Sequence, residues 1–201
     1  MLIRWNAGVS LRLRRGKMNA GDVMRATHNR NPITALGGCR RREQHFLMKI
    51  MHSLIKTNDS FTQLIARLTL GAVMFPHGAQ VALGWFGGHG FSGSMGFFTN
   101  VMHIPAVFAF LAIAAQFAGS LGLITGFLSR VAAFGIAATM VVAVATVHAS
   151  VGFFMNWYGK QAGEGYEYHL LAIGLAVIIM IGGAGKASID AFLAPKLESK
   201  S

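Results

Sequence analysis

The sequence has little charge and almost no cysteine for its length. Of its 201 residues, 12% are Asp, Glu, Lys or Arg, whereas 53% are hydrophobic. A water-soluble domain of this size needs more charge to cover its surface, so the composition argues against a soluble globular protein. Cys39 is the only cysteine, which excludes an intrachain disulfide, a Cys-based zinc site and a CxxC redox pair.

Familiar catalytic motifs are also missing. The sequence has no Walker loop, no GxGxxG following a strand, no HExxH and no nucleophile elbow. Gly182, Gly183 and Gly185 end an apolar run instead of opening a helix. They predict a helix end, followed by Ser188 as the cap of a short terminal helix. The sequence therefore predicts no particular catalytic residue and no metal site.

The positive charge is concentrated at the N-terminus. The first fifty residues hold eleven of the 18 Lys and Arg with only two acidic residues, a net charge of +9, and the rest of the chain carries +2. Because the charge belongs to a tail, we expect no nucleic-acid partner. We assign residues 1–57 to a basic N-terminal extension, expected to be disordered, in which Arg40, Arg41 and Arg42 suit anionic lipid. The alternative is that translation starts at Met48 or Met51.

Four apolar runs predict membrane-spanning helices. Each is roughly twenty residues long, enough for a helix that rises 1.5 Å per residue to cross about 30 Å of hydrocarbon. The runs are Phe61 to Gly84, Ile104 to Thr125, Val131 to Val151 and His169 to Gly185. A soluble all-helical protein is the alternative, but the runs lack the polar face of an amphipathic core helix. We predict an all-α fold with a transmembrane four-helix bundle in residues 58–191 and a cytoplasmic tail at 192–201.

The connections between the runs predict the orientation. Lys or Arg residues favour the N-terminus, the turn at Arg130 and the C-terminus, which the positive-inside rule places in the cytoplasm. Aromatic residues favour the other two connections, as expected at an outer interface: Trp85, Phe86, Phe153, Phe154, Trp157 and Tyr158. We therefore predict a multi-pass protein of the bacterial inner membrane with both termini inside, and the lipid bilayer as its first partner.

Polar residues within the runs form the predicted site. Ionisable groups are expensive to place in a membrane, so each needs a partner or a function. We predict that one cavity between the helices is lined by Arg67, His77, Gln116, His148 and Glu167. The alternative roles are structural: snorkelling for Arg67, packing for the histidines and interhelical hydrogen bonding for Gln116 with Ser120. Axial haem ligation by His77 and His148 is a further, weakly supported alternative.

Four segments together resemble a known family. They are LIARLTLGAVMFPHGAQ around Arg67, GSLGLITGFLSRVAAFGIAATM, ATVHAS around His148, and GYEYHLLAIGLAVIIMIGGAGKASID. Their order and spacing over residues 58–191 are similar to the DoxX family of small four-helix membrane proteins. The resemblance puts Gln116 where many relatives carry Glu, and it puts these residues on the family's recurrent polar positions: Arg67, His77, His148, Glu167 and Asp190.

The resemblance implies a function in membrane redox chemistry. The family name comes from a membrane subunit of a thiosulfate:quinone oxidoreductase, and relatives are linked to oxidative stress. The leading hypothesis is an oxidoreductase component in which His77 and His148 donate hydrogen bonds to a quinone or a similar amphipathic molecule. The chain has no evident electron carrier, so a redox partner protein would supply the electrons.

Two other functions are compatible with the sequence. One is a non-enzymatic membrane scaffold for a redox or stress-response complex. The other is a small transporter or lipid-handling protein, which would need a homo-oligomer because the four runs show no internal repeat. Gly71, Gly78, Gly119 and Gly122 permit close helix contacts, either within one chain or between chains.

Overall fold

The computed structural model describes residues 46–198, and all regular secondary structure in that range is helical. This confirms the predicted all-α class. The described helices are α1 (Phe46–Ile55), α2 (Phe61–Leu83), α3 (Gly90–Gly96), α4 (Ala106–Thr125), α5 (Ser129–Ala143), α6 (Glu167–Gly182) and α7 (Ile189–Glu198). A 3₁₀ turn at Trp85–Gly87 and π-helical turns at Phe97–Val101 and Val144–His148 complete them.

Each of the four apolar runs is a helix, with bounds close to those predicted. α2 begins after Ser60, whose hydroxyl accepts a hydrogen bond from Gln63 N at 3.5 Å, and it ends at Gly84 with a left-handed φ of 75°. α5 continues through its π-helical turn to His148. α7 begins after Ser188, whose hydroxyl accepts from Ala191 N at 3.1 Å, so the predicted cap is confirmed.

Two helices were not expected from the sequence. The extension was expected to be disordered up to residue 57, but its last part forms α1, because apolar residues recur there at helical spacing. Residues 1–45, including Arg40 to Arg42, lie outside the described residues. The connection after α2 was expected to be an aromatic, glycine-rich loop, yet it contains α3 and the following π-helical turn.

The four long helices pack against their neighbours in chain order. α2 contacts α4, α4 contacts α5, α5 contacts α6, and α6 returns to α2. Neighbours are antiparallel, because residues early in one helix meet residues late in the next. Between the helices lies a core that includes Leu70, Met74, Leu123, Ile136 and Ile179, all almost fully buried. We call one end of the helices the Arg67 end (residues 56–67, 123–130 and 180–190) and the other the His148 end (residues 77–104 and 148–169).

The small residues at the helix contacts pack within this chain. A Cβ added to Gly78 would lie 2.5 Å from Gln116 O and 2.6 Å from Phe117 Cα, so α2 and α4 touch backbone to backbone there. A Cβ added to Gly119 would make only ordinary contacts with α5, 3.6 Å from Ala132 O and from Ile136 Cγ1. Gly78 therefore sets the spacing between α2 and α4.

Two of the four predicted spans meet the length and composition required to cross a membrane. Within the described residues these are Ala106–Thr125 and Ser129–His148. α2 is longer but carries several polar residues, and α6 has only 16 residues. Large apolar side chains are exposed on all four helices, among them Phe61, Phe108, Phe134 and Ile181.

We expect Gly78→Ala to destabilise the protein, because the added methyl group would overlap the α4 backbone. Overpacking of this kind costs about 1–3 kcal/mol. The matched control is Gly174→Ala in α6, where an added Cβ meets no atom within 4 Å. Thermal unfolding of both variants in detergent would test this. A Gly78→Ala midpoint equal to that of Gly174→Ala would contradict the close contact.

Candidate functional site

A cavity opens among the helices at the His148 end. Its volume is about 360 Å³, and it is bounded by side chains of α2, α4, α5 and α6 and of both connections at that end. Most of the lining is apolar and includes Met74, Met102, Met140 and Met155. The polar side chains on its wall are His77, Gln116, Thr139, Thr146, His148, Glu164, Tyr168 and His169.

The structure brings three of the five predicted site residues to this cavity. His77, Gln116 and His148 line it, on three different helical segments. Arg67 is buried at the opposite end of the helices, and Glu167 is the first residue of α6, where its carboxylate accepts a hydrogen bond from Trp157. The five residues therefore do not share one cavity, and a functional role for each stays a prediction.

His148 has one ring nitrogen fixed by the backbone. Its Nδ1 lies 2.7 Å from the carbonyl oxygen of Glu164. A carbonyl can only accept, so Nδ1 carries the proton and donates. When the imidazole is neutral, its Nε2 is then an acceptor, available to a hydroxyl or amide group.

His169 is one of the polar residues of the cavity wall that the sequence argument did not select. It is only 6% exposed, and its Nδ1 has no hydrogen-bond partner among the described residues. Its ring packs against the ring of His148 with 4.1 Å between centroids. Buried polar atoms are normally satisfied, so this nitrogen is an unmet hydrogen-bonding group beside the cavity.

Tyr168 of α6 contacts α2 at the cavity wall. Its hydroxyl donates to the sulfur of Met74 at 3.2 Å, and its ring lies 5.9 Å from the ring of His77. Tyr168 and His169 follow Glu167 directly in the sequence, and this Glu-Tyr-His segment was the signal that could have identified them. Its two aromatic residues reach the cavity because α6 begins there.

The polar pair on α4 bonds to its own helix. Interhelical hydrogen bonds were the expected alternative for Gln116 and Ser120. Instead Gln116 Nε2 donates to Ala112 O at 3.3 Å, and Ser120 Oγ donates to Phe117 O at 2.7 Å. At Gly78 the α2 backbone contacts the α4 backbone directly, so no side chain of α2 lies between them to bond to this pair. Gln116 keeps its amide oxygen and its second N–H for a group in the cavity.

Two carboxylates organise the α5–α6 connection. Glu167 accepts hydrogen bonds from Met155 N at 3.1 Å and Trp157 Nε1 at 3.0 Å. Glu164 accepts from Asn156 N at 2.7 Å. These bonds hold the connection over the His148 end, where Met155 and Glu164 form part of the cavity wall.

Arg67 joins three segments at the opposite end. Its side chain is 1% exposed, and all five of its N–H groups donate to backbone carbonyls. The acceptors are Ala184 (3.0 Å) for Nε, Leu123 and Ile124 (2.7 Å each) for Nη1, and Lys186 (3.2 Å) and Ala187 (3.0 Å) for Nη2. The guanidinium thus satisfies the last carbonyls of α4 and those of the turn after α6, where a cation is favoured by both helix dipoles.

Asp190 complements Arg67 with the opposite charge. Its carboxylate accepts from Leu128 N at 2.8 Å and Ser129 N at 2.9 Å, which are free donors at the start of α5. Burial raises the pKa of Asp190, while these two N–H groups and the nearby Arg67 act in the opposite direction. Arg130 closes the same end by donating to Lys56 O at 3.2 Å and Met180 O at 2.6 Å.

The family model described as DoxX matches residues 62–149. The chain contains a DoxX domain. The match begins in α2 and ends just after His148, so the predicted family resemblance is confirmed over this range. No curated protein and no solved structure matches the chain significantly. The DoxX domain, together with the two long apolar helices, supports a membrane protein.

The DoxX match separates two groups of residues. Arg67, His77, Gln116 and His148 lie inside it, whereas α6 and α7 follow it. The roles of Glu167 and Asp190 as family positions therefore stay predictions. No group of three or more His, Cys, Asp or Glu side chains within residues 46–198 is arranged to hold a metal ion.

We expect Arg67→Lys to destabilise the DoxX domain, because one ammonium group cannot reach five carbonyls on two segments. Each buried carbonyl left without a donor costs about 1–3 kcal/mol. Asp190→Asn should also destabilise, since an amide presents N–H to at least one of the two backbone donors. The control is Lys186→Gln, which removes an exposed 3.6 Å ion pair with Asp59.

Thermal unfolding in detergent separates these variants. Both Arg67→Lys and Asp190→Asn should unfold several degrees below the Lys186→Gln control. Three equal unfolding midpoints would show that the Arg67 end does not depend on these contacts.

Proposed function

We propose that α2, α4, α5 and α6 cross the bacterial inner membrane as a four-helix bundle with both termini in the cytoplasm. The supporting observation is where their apolar side chains lie. The most apolar windows of α4 and of α5 with its π-turn are only 33% and 28% buried. A core helix of a soluble protein is mostly buried, so lipid fits these exposed surfaces better than water.

The two less apolar helices fit the same arrangement. The two ionisable residues of α2 face the other helices, because Arg67 is buried and His77 lines the cavity, while Phe61, Ile65 and Leu68 are exposed. α6 has 16 residues and spans about 24 Å. Tilt of its neighbours or local thinning of the bilayer accommodates so short a helix.

The distribution of charged and aromatic residues supports the orientation. Lys56, Arg130 and Lys186 lie at the Arg67 end, which the positive-inside rule assigns to the cytoplasm. The other end carries exposed aromatic side chains suited to the outer interface: Trp85, Phe86, Phe153, Phe154, Trp157 and Tyr158.

Reporter fusions would test this orientation. We expect a fluorescent protein fused after Ser201 to fluoresce in the cytoplasm, and alkaline phosphatase inserted after Tyr158, a fully solvated site of the α5–α6 connection, to be active outside. Activity of the two reporters on the same side of the membrane would contradict the proposed four spans.

We further propose that the protein binds a quinone, or a similar amphipathic molecule, in the cavity at the His148 end. The observation that carries this proposal is a largely apolar cavity with polar side chains from four helices on its wall, among them the adjacent rings of His148 and His169. An apolar space with a few convergent polar groups is typical of small-molecule sites. The methionine side chains on the wall can adjust to a ring of varied substitution.

The hydrogen-bonding state of His148 favours one form of such a ligand. The sequence suggested that His148 donates to quinone oxygens, but its Nδ1 proton is already donated to Glu164 O. A neutral His148 therefore accepts, and the matching group is the hydroxyl of the reduced, quinol form. In the proposed redox role, the residues described here bind and orient the ligand, and a partner protein exchanges electrons with it.

Binding of a short-chain benzoquinol to the purified protein in nanodiscs tests this proposal. We expect His148→Ala and His169→Ala each to weaken binding about tenfold, equivalent to one hydrogen bond of about 1.4 kcal/mol. His89→Ala is the control, because His89 is exposed and does not line the cavity. His148→Ala should weaken the binding of the oxidised benzoquinone less than it weakens the binding of the quinol.

Unchanged quinol affinity in a His77→Ala/His148→Ala double variant would contradict the site. No binding by the unaltered protein would favour the scaffold alternative over a ligand-binding role.

A further inference from the structure

α1 carries an apolar face that nothing in the described chain covers. Its ten residues place five large apolar side chains within an arc of about 140°, taking 100° per residue. All five are exposed: Phe46, Leu47, Ile50, Met51 and Leu54. We call these five side chains the α1 apolar face.

The remaining side of α1 is polar or contacts the rest of the protein. Taking 100° per residue, Lys49 lies about 130° from the centre of the apolar arc and Ser53 about 90° from it, next to Phe46, and both are exposed. Ile55, beyond the other edge of the arc, is 5% exposed. α1 is therefore an amphipathic helix, but its apolar side faces away from the protein core.

The segment after α1 fixes the helix to the Arg67 end. Lys56 O accepts from Arg130 Nε at 3.2 Å, and Thr57 Oγ1 accepts from Gly185 N at 2.6 Å. Asn58 N donates to Gly182 O at 3.4 Å. The C-terminal end of α1 consequently lies where the proposed membrane spans end, at the level of the cytoplasmic headgroups.

The charge around α1 complements an anionic surface. Lys49, Lys56 and Arg130 lie on α1 or on the segments that hold it, and the first fifty residues of the sequence carry a net charge of +9. An exposed apolar arc flanked by basic residues is the pattern of a helix that lies in a membrane interface and attracts acidic lipid.

We propose that α1 is an interfacial anchor whose apolar face inserts into the cytoplasmic leaflet, with Lys49 and the adjacent Lys56 binding anionic phospholipid headgroups. The proposal rests on the membrane-spanning arrangement proposed above. It adds a lipid-binding element outside the four spans, at the end of the basic extension in the sequence.

Spin labels at single cysteines test the position of α1 in the full-length protein. Cys39→Ser first removes the native cysteine, and nitroxides are then placed at position 47 or 54 on the apolar face, or at 49 or 53 on the polar side. A label at 134, on the exposed surface of α5, serves as the membrane reference. Power saturation with oxygen and with a water-soluble nickel chelate gives the depth of each label in nanodiscs.

We expect labels at 47 and 54 to be accessible to oxygen and protected from nickel, and labels at 49 and 53 to be accessible to nickel. Nanodiscs containing phosphatidylglycerol should increase the depth at 47 and 54 relative to phosphatidylcholine alone. Replacing Lys49 and Lys56 by Gln should remove that increase.

Three results would overturn the inference while position 134 stays in lipid. Nickel access at 47 and 54 equal to that at 53 would place α1 in water. Protection from both reagents would show that protein, such as a second copy of the chain, covers the face. Equal depth of the labels at 47 and 54 in both lipid mixtures would show that α1 does not bind anionic headgroups. Nickel access at 134 would instead contradict the proposed membrane spans.

Discussion

The structure depends on the five hydrogen bonds that the buried guanidinium of Arg67, on α2, donates to carbonyls of two other segments. A charge away from water is tolerated only when it is fully paired, and helix ends away from water require donors for their last carbonyls. Arg67 meets both requirements at once, because the last carbonyls of α4 and the carbonyls of the turn after α6 receive their hydrogen bonds from its guanidinium. Asp190 does the converse at the start of α5. Arg67 and Asp190 therefore connect α2, the end of α4, the start of α5 and the turn after α6 at the Arg67 end.

The two ends of the helices differ in what their polar side chains contact. At the Arg67 end, charged side chains bond to backbone groups, and Gly126 and Gly185 allow neighbouring segments to come close together. At the His148 end the helices leave a cavity, the rings of His148 and His169 pack against each other on its wall at an angle of 42°, and the buried Nδ1 of His169 has no hydrogen-bond partner in the described chain. We interpret the first end as structural and the second as the place where a ligand binds. The proposed redox role belongs to the second end.

The helices could be predicted from the sequence, whereas the division of the polar residues could not. Long apolar runs determine a helix locally, so α2, α4, α5 and α6 follow from hydropathy and length. α1 could not be predicted in the same way, because its apolar residues belong to a segment rich in positive charge. The partners of Arg67 are backbone carbonyls 56 to 120 residues away, which no residue pattern marks. The burial of His169 likewise requires α5 beside α6. The sequence therefore predicts Arg67 and Glu167 as cavity residues alongside the histidines, although their hydrogen bonds are made outside the cavity.

Hydrogen–deuterium exchange of the protein in nanodiscs, with and without a short-chain benzoquinol, tests the distinction between the two ends most directly. The account predicts slow exchange at Leu128, Ser129 and Gly185, whose N–H groups are bonded at the Arg67 end, with no change on adding the quinol. It predicts faster exchange in residues 149–166, slowed by the quinol. Rapid exchange at the Arg67 end, or protection by the quinol there instead of at the His148 end, would contradict it.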